Sequence, residues 1–213
     1  MGDADEPFSI QSVSKVFTLS LAMTAVGPRL FSRVGREPSG NAFSSLVQLE
    51  YEHGIPRNPF INAGALVVAD SLLSRHDDPK TLILDHLSRL SGNPAVAYDP
   101  EVAESERETG FRNRALANFL KSLGNLENDV EAVLDLYFHQ CAIAMSARDL
   151  ARAFLPFANR GVNPETGAPE YAVRHAKRIN SLMMTCGMYD ASGGFAYRVG
   201  LPAKSGVGGA IAC

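Results

Sequence analysis

The sequence of 213 residues contains no tryptophan and only three cysteines, Cys141, Cys186 and Cys213. The cysteines form no C-x-x-C pair and lie near no cluster of histidines, which argues against a zinc site and against a disulfide framework. A sparse and odd set of cysteines is typical of reduced thiols. We therefore expect a reducing compartment, the cytoplasm, and neither a metal ion nor an organic cofactor.

The chain also lacks a strong bias in charge and a long apolar run. Its formal net charge is -3, and its basic residues are scattered without interleaved aromatics, which argues against nucleic-acid binding. No segment has the apolar length of a membrane span, and no signal peptide precedes the first predicted helix, so we expect no membrane partner. The length and the 46% hydrophobic content predict one domain over residues 1–213.

Proline, glycine and capping residues divide the chain into mostly helical segments. The nearly all-apolar segments 13–26 and 62–73 predict buried helices. Aspartate followed by proline at Asp78 and Asp99 predicts two helix starts, and Ser146 with Asp149 predicts a capping box. Amphipathic patterns predict further helices over 113–123, 129–138 and 171–186.

The predicted β structure lies mostly at the ends of the chain. After Gly187, the alternating segment FAYRV predicts a strand, and the glycine-rich segment 200–213 predicts a turn and the start of a second strand. One strand pair is a poor sheet for so many helices. We therefore expect an α+β fold, a helical cluster on a mixed or antiparallel sheet, with strands before Phe8 and after Cys213 missing from this chain.

The sharpest chemical signal is Ser12-Val13-Ser14-Lys15, an S-x-x-K motif at a predicted helix start. Residues three apart share a helical face, so the amine of Lys15 can reach the hydroxyl of Ser12. A serine needs a base to become a nucleophile, and burial in this apolar helix would favour the neutral lysine. A capped helix with a surface lysine is the alternative interpretation of this motif alone.

A second motif, Lys204-Ser205-Gly206, runs into the glycine-rich segment 207–209. Serine acyl-transfer enzymes with S-x-x-K often carry K-[ST]-G on a strand that faces the nucleophile. A backbone N–H on that strand can complete an oxyanion hole. Taken alone, this segment could be a glycine-rich turn, but both motifs in this order favour a serine hydrolase of the β-lactamase and penicillin-binding class.

Longer segments carry a resemblance to one family. They are SIQSVSKVF, VGREPSGNAF, NPFINAGAL, SERETGFRNRALA, DLYFHQCAI, RGVNPETG and GFAYRVGLPAKSGVGG, in that order along the chain. With these segments the chain resembles the serine-dependent glutaminases, whose fold is related to the β-lactamases. The resemblance implies hydrolysis of L-glutamine to L-glutamate and ammonia, no cofactor, and a homo-oligomer, a dimer or tetramer.

The resemblance also implies roles for individual residues. Ser12 would be the nucleophile, Lys15 its base and Tyr189 a proton relay. The implied substrate-binding residues are Ser12, Asn62, Glu106, Asn113, Tyr137, Tyr189 and, through its backbone N–H, Val207. Without the resemblance, Asn62 would be interpreted as a helix N-cap, Glu106 and Asn113 as parts of a solvated helix, and both tyrosines as core or rim aromatics.

The sequence departs from the family at both ends. Members usually begin with a longer segment that contains a Tyr-Ile-Pro motif, and they continue past the Gly-Gly strand. Missing strands would leave sheet edges unpaired. Two alternatives therefore stay open beside a glutaminase: a related S-x-x-K hydrolase acting on another amide, such as a peptide or β-lactam, and an inactive, truncated family member.

Overall fold

The computed structural model describes residues 2–40 and 45–213. Within these ranges the chain forms ten α-helices and five short strands. The helices are α1 Ser14–Val26, α2 Leu46–Tyr51, α3 Asn62–Leu73, α4 Pro79–Ser91, α5 Pro100–Thr109, α6 Phe111–Ser122, α7 Val130–Cys141, α8 Ala147–Ala158, α9 Val173–Cys186 and α10 Ser192–Val199. The strands are β1 Pro7–Ser9, β2 Ala97–Tyr98, β3 Ile143–Ser146, β4 Lys204–Ser205 and β5 Ile211–Ala212.

Capping side chains start several helices where the sequence predicts them. Asp78 accepts a hydrogen bond from the N–H of Thr81, and Asp99 accepts from two N–H groups at the start of α5. The capping box of Ser146 and Asp149 is present at α8. Each cap satisfies N–H groups that have no partner within the helix, so these predictions are confirmed.

Helices α1 and α3 form the centre of the core and pack against each other. Both are buried on most of their faces, as their uniformly apolar sequences predict. On α1, the ring of Phe17 meets that of Phe154 on α8 edge to face, with centroids 5.3 Å apart. The start of each central helix, where Ser14 and Asn62 lie, is therefore fixed by a packed interior.

The strands form two small antiparallel sheets. In the first, β3 lies between β1 and β2, with Phe8 opposite Met145 and Tyr98 opposite Ile143. In the second, β4 pairs with β5. The α+β class is confirmed, and three of the five strands in the described residues, β1, β4 and β5, lie near the ends of the chain as predicted. Strands β2 and β3, from the middle of the chain, were not predicted. Their short, partly buried segments carry too little alternation to be recognised from sequence.

The predicted strand at FAYRV is a helix instead. These residues belong to α10, which follows a 3-10 turn at Tyr189–Ala191 and ends at Gly200 in a left-handed conformation. Tyr197 is 92% exposed, so the alternation of this segment does not create a buried face. Local hydrogen bonds continue from the preceding turn, and they override the β propensity of the aromatic residues. In the part of the chain that the structure describes, no helix has the length and apolar character to cross a bilayer.

Candidate active site

Ser12 lies in a 3-10 turn between β1 and α1. The strand continues through Ile10, whose N–H donates to the carbonyl of Ile143 at 2.9 Å, and Gln11 then turns the chain with a positive φ of 49°. Residues Gln11–Val13 form the turn, and α1 begins at Ser14. Ser12 is thus held just before the N-terminus of a buried helix, where the helix dipole favours developing negative charge.

Lys15 is almost completely buried one helical turn further along, with 1% of its surface exposed. Its amine donates hydrogen bonds to Oδ1 of Asn62 at 2.7 Å and to the carbonyl of Phe60 at 3.2 Å. It also lies 5.7 Å from the centre of the Tyr137 ring. Burial lowers the pKa of Lys15 to about 8, against an opposing effect of Cys141 and Glu106. A large fraction of this lysine is therefore neutral in mildly alkaline solution.

Asn62 is the first residue of α3, and its side chain connects two parts of the site. Its Oδ1 accepts from Lys15, and its Nδ2 donates to Oδ1 of Asn113 on α6 at 3.0 Å. The N-cap of α3 is Ile61, so the interpretation of Asn62 as a helix cap was wrong. Its amide faces the site.

Asn58 positions this part of the chain, and sequence reasoning missed it. Its Oδ1 accepts from the N–H groups of Phe60 and Ile61, each at 3.0 Å, and its Nδ2 donates to the carbonyl of Glu37. Asn58 is 1% exposed, and its side chain organises the turn that presents Phe60 to Lys15. The Asn-Pro pair at 58–59, which favours turn initiation, is the signal that could have identified it.

Helices α5 and α7 supply a carboxylate, a phenol and a thiol. Tyr137 is buried, and Cys141, one helical turn further along α7, is close enough to affect its pKa. Burial raises the pKa of Tyr137 well above its usual value and that of Cys141 to about 12, so both stay protonated at neutral pH. Glu106 is half-buried on α5, and its charge acts on Lys15, Tyr137 and Cys141. The structure therefore brings Glu106 to the same cluster as the two buried groups of α7.

Tyr189, in the turn after α9, is a further residue near Ser12. It lies at the start of the 3-10 turn after α9 in a left-handed conformation, with φ of 50°, which is uncommon for a bulky residue. Its phenol lies close enough to the side chain of Ser12 for the serine to affect its pKa. Burial raises the pKa of Tyr189, while the nearby side chain of Ser12 opposes that shift. The phenol is thus neutral at neutral pH and lies near the serine.

Strand β4 and its turn close the site next to Ser12. A Cβ atom on Gly206 would lie 2.8 Å from the carbonyl oxygen of Ile10, and one on Gly208 would lie 3.0 Å from that of Ser9. The turn therefore packs tightly against the backbone that leads to Ser12. Val207 lies between these glycines and is 79% exposed.

The structure thus gathers the predicted site residues around Ser12 and Lys15. Asn113 joins the group through Asn62, and Glu106 joins it by its electrostatic effect. A cleft of about 640 Å³ borders Phe60 and Tyr189. Such a cluster, with a serine, a lysine of lowered pKa and a phenol, suits acyl transfer. Residues 41–43 of the matched segment VGREPSGNAF lie outside the described residues.

Comparison with known proteins gives one consistent result. A family model described as Glutaminase matches residues 1–213. A glutaminase of Rhodopseudomonas palustris strain TIE-1 is 61% identical over 212 residues, which are 99% of this chain and 68% of the relative. A glutaminase of Methylobacterium radiotolerans is 58% identical, with 99% of this chain and 69% of the relative covered.

Solved structures agree with the sequence relatives. The structure described as probable glutaminase ybaS is similar with a TM-score of 0.93 and 38% identity, over 99% of this chain and 69% of that one. A Bacillus glutaminase solved in 4.3 M NaCl has a TM-score of 0.93 and 40% identity, over 98% of this chain and 71% of that one. The fold is therefore the β-lactamase-like fold of these enzymes.

Proposed function

Since the chain belongs to the glutaminase family, we propose that it hydrolyses the side-chain amide of L-glutamine to L-glutamate and ammonia. The observation that carries this proposal is a buried lysine one helical turn after Ser12, with the phenol of Tyr189 near the serine. Lys15 has a pKa lowered to about 8, and the side chain of Ser12 affects the pKa of Tyr189. An activated serine beside such groups is the arrangement that nucleophilic catalysis on an amide requires.

In the proposed mechanism, neutral Lys15 accepts the proton of Ser12 as Ser12 attacks the amide carbon. The backbone N–H groups of Ser12 and Val207 would stabilise the oxyanion; in support, the β4–β5 turn that contains Val207 packs on residues 9–11, just before Ser12. Loss of one such donor typically costs about a hundredfold or more in rate. A proton then passes from Lys15 or Tyr189 to the leaving nitrogen, and ammonia departs.

Hydrolysis of the γ-glutamyl ester completes the cycle. Water attacks the ester carbonyl, a proton returns to Ser12, and glutamate leaves. Tyr189 suits the relay because its neutral phenol lies near Ser12, whereas the amine of Lys15 is hydrogen-bonded to Asn62 and to the Phe60 carbonyl. Each step uses groups of the chain, the substrate and water.

Recognition of a free amino acid needs a carboxylate for its ammonium group and donors for its carboxylate. We assign the first role to Glu106, whose negative charge reaches Lys15 and Tyr137. The amides of Asn62 and Asn113 are linked at 3.0 Å, and we assign them with Tyr137 to contacts with the rest of the substrate. A single domain over 1–213, a homo-oligomer and a cytoplasmic location stay predictions from the sequence and the resemblance.

The test is ammonia release from L-glutamine by the purified chain, beside Ser12→Ala and Ser122→Ala. Ser122 is an exposed serine at the end of α6, whose hydroxyl donates to the carbonyl of Phe119, and its variant is the matched control. We expect Ser12→Ala to remain folded and to release ammonia about a thousandfold or more slowly than the parent. Ser122→Ala should keep its activity. A soluble, cooperatively folded chain that releases no ammonia would contradict the proposed function, and near-normal activity of Ser12→Ala would contradict the choice of nucleophile.

A further inference from the structure

Lys204, on β4, is a second fully buried lysine beside the site, with no exposed surface. Its amine lies 4.7 Å from the centre of the Tyr189 ring and 5.9 Å from that of Phe60, and it donates a hydrogen bond of 2.6 Å to the carbonyl of Ser205. A long, flexible lysine side chain is costly to order in a protein interior. Its fixed place against an aromatic face therefore calls for a function.

The backbone around Lys204 already holds the turn that carries Tyr189. The N–H of Ser205 donates to the carbonyl of Gly187 at 3.1 Å. A Cβ atom on Gly187 would lie 1.7 Å from the carbonyl oxygen of Ala203, so the two segments touch. The chain leaves Gly187, passes Met188 and reaches Tyr189 in its left-handed conformation. Strand β4 thus fixes the base of the turn by backbone contacts and meets the tyrosine ring with the side chain of Lys204.

We propose that Lys204 is a positioning residue, whose amine packs against the ring of Tyr189 and holds the phenol hydroxyl on Ser12. An amine over an aromatic face is attracted to the ring as a cation, and its N–H groups interact with the ring in the neutral form as well. Lys204 can therefore hold the ring of Tyr189 whether its amine is charged or neutral. This matters because burial, and then the charge of Lys15, lowers the pKa of Lys204 well below its usual value.

The inference rests on the proposed function, because it assigns Lys204 an effect on the reaction through Tyr189. If Lys204 only locked β4 to its neighbours, its replacement would lower the stability of the whole site. A positioning residue changes the rate at which the bound substrate reacts, and its effect depends on the presence of the tyrosine hydroxyl. The two roles therefore differ in a double-mutant cycle.

The cycle consists of the parent chain, Lys204→Met, Tyr189→Phe and the double variant, with Lys177→Met, an exposed lysine of α9, as the control. Methionine keeps the apolar stem and removes the amine. We expect Lys204→Met to lower kcat on L-glutamine by about tenfold and to change KM by less than about threefold. In the Tyr189→Phe background the same change lowers kcat by less than about twofold, and Lys177→Met leaves kcat unchanged.

An equal loss in both backgrounds, or an unchanged kcat in Lys204→Met, would overturn the proposal. If Lys204→Met does not unfold cooperatively, Lys204→Gln replaces it in the cycle, since glutamine keeps a donor near the Ser205 carbonyl. A second readout needs no activity: the chain contains no tryptophan, so near-ultraviolet circular dichroism reports its ordered tyrosines. The signal that Tyr189→Phe removes from the parent should already be absent in Lys204→Met. An intact signal in that variant would overturn the proposal, whereas an inactive parent with the expected loss of signal would contradict the proposed function alone.

Discussion

The amine of Lys15 donates a hydrogen bond of 2.7 Å to Oδ1 of Asn62, the first residue of the neighbouring helix α3. The other end of the same amide donates to Asn113. These two hydrogen bonds fix the orientation of the Asn62 side-chain amide, because only its oxygen can accept a hydrogen bond from the amine of Lys15. A neutral partner at this place leaves the lowered pKa of Lys15 intact, whereas a carboxylate would favour the charged amine.

The first prediction is a pH profile set by Lys15. Its pKa is lowered to about 8, and the base must be neutral, so kcat/KM should fall about tenfold per pH unit below pH 8 and level off above it. Asn62→Asp places a negatively charged carboxylate beside the amine of Lys15, which raises the pKa of Lys15. The acid limb should therefore move to higher pH in steady-state assays. Asn118→Asp, at an exposed position of α6, is the control that should keep the parent profile, and an unshifted limb in Asn62→Asp would argue against Lys15 as the base.

The second prediction concerns stability at alkaline pH. The pKa of Lys15 is about 8 in the folded chain and 10.5 ordinarily, so the unfolded chain binds more protons between these values and the free energy of unfolding rises with pH there. Between pH 7.5 and 9.5 the free energy of unfolding of the parent should rise by about 2 kcal/mol more than that of Lys15→Met, which lacks this titrating group. Urea unfolding at both pH values measures the difference.

Lys15→Met should also lose glutamine hydrolysis to about the same extent as Ser12→Ala, since it keeps the bulk and removes the base. Lys204 is buried as well, and the charge of Lys15 is one cause of its lowered pKa. The comparison is therefore repeated in a Lys204→Met background, which removes the contribution of Lys204 from both proteins. Equal pH dependence of the parent and the variant would show that Lys15 titrates normally in the folded chain.

The third prediction places an acid-sensitive contact away from the site. His86 is buried between Tyr171, whose hydroxyl lies 2.8 Å from Nε2, and Arg89, 3.0 Å from Nδ1. Burial, and then the charge of Arg89, lowers its pKa from 6.5 to about 3. The unfolded chain binds the extra proton below pH 6.5, so stability falls as the pH decreases from 6.5 towards 3, by about 2 kcal/mol at pH 5.

His86→Gln should remove this part of the acid destabilisation, as chemical unfolding at pH 7 and pH 5 would show. His53→Asn is the matched control, because His53 is exposed and has a positive φ that asparagine tolerates. The same loss of stability at pH 5 in the parent and in His86→Gln would contradict the assignment.

The fourth prediction tests the approach of the β4–β5 turn to Ser12. A Cβ atom on Gly206 would lie 2.8 Å from the carbonyl oxygen of Ile10, so Gly206→Ala must push the turn away from the serine. We expect kcat to fall by about a hundredfold, as when an oxyanion donor is lost. In Gly193→Ala the new methyl group meets no atom within 4 Å, and its activity should be unchanged. A Gly206→Ala variant with normal kcat would show that Val207 does not contribute to the oxyanion hole.

Helix boundaries were largely predictable from the sequence because their signals are local. The caps at Asp78, Asp99 and Ser146 act on N–H groups a few residues away, and each can be recognised from neighbouring residues alone. The prediction of a strand at FAYRV was wrong because it also rested on a local signal. Its alternation is a local property, whereas a strand also needs an edge to pair with, and only the packed chain determines where edges lie.

The sequence by itself determined the residue types of the candidate site, since S-x-x-K and K-S-G lie within single segments, and its long motifs determined the family. The tertiary structure decided what those residues can do. Burial of Lys15 by α3 and α7 lowers its pKa, the turn after α9 brings Tyr189 to Ser12, and β4 places Lys204 against that ring. Desolvation and contact join groups of separate elements, which lie from 15 residues apart, as Tyr189 and Lys204 do, to 177 apart, as Ser12 and Tyr189 do, and no local pattern encodes them.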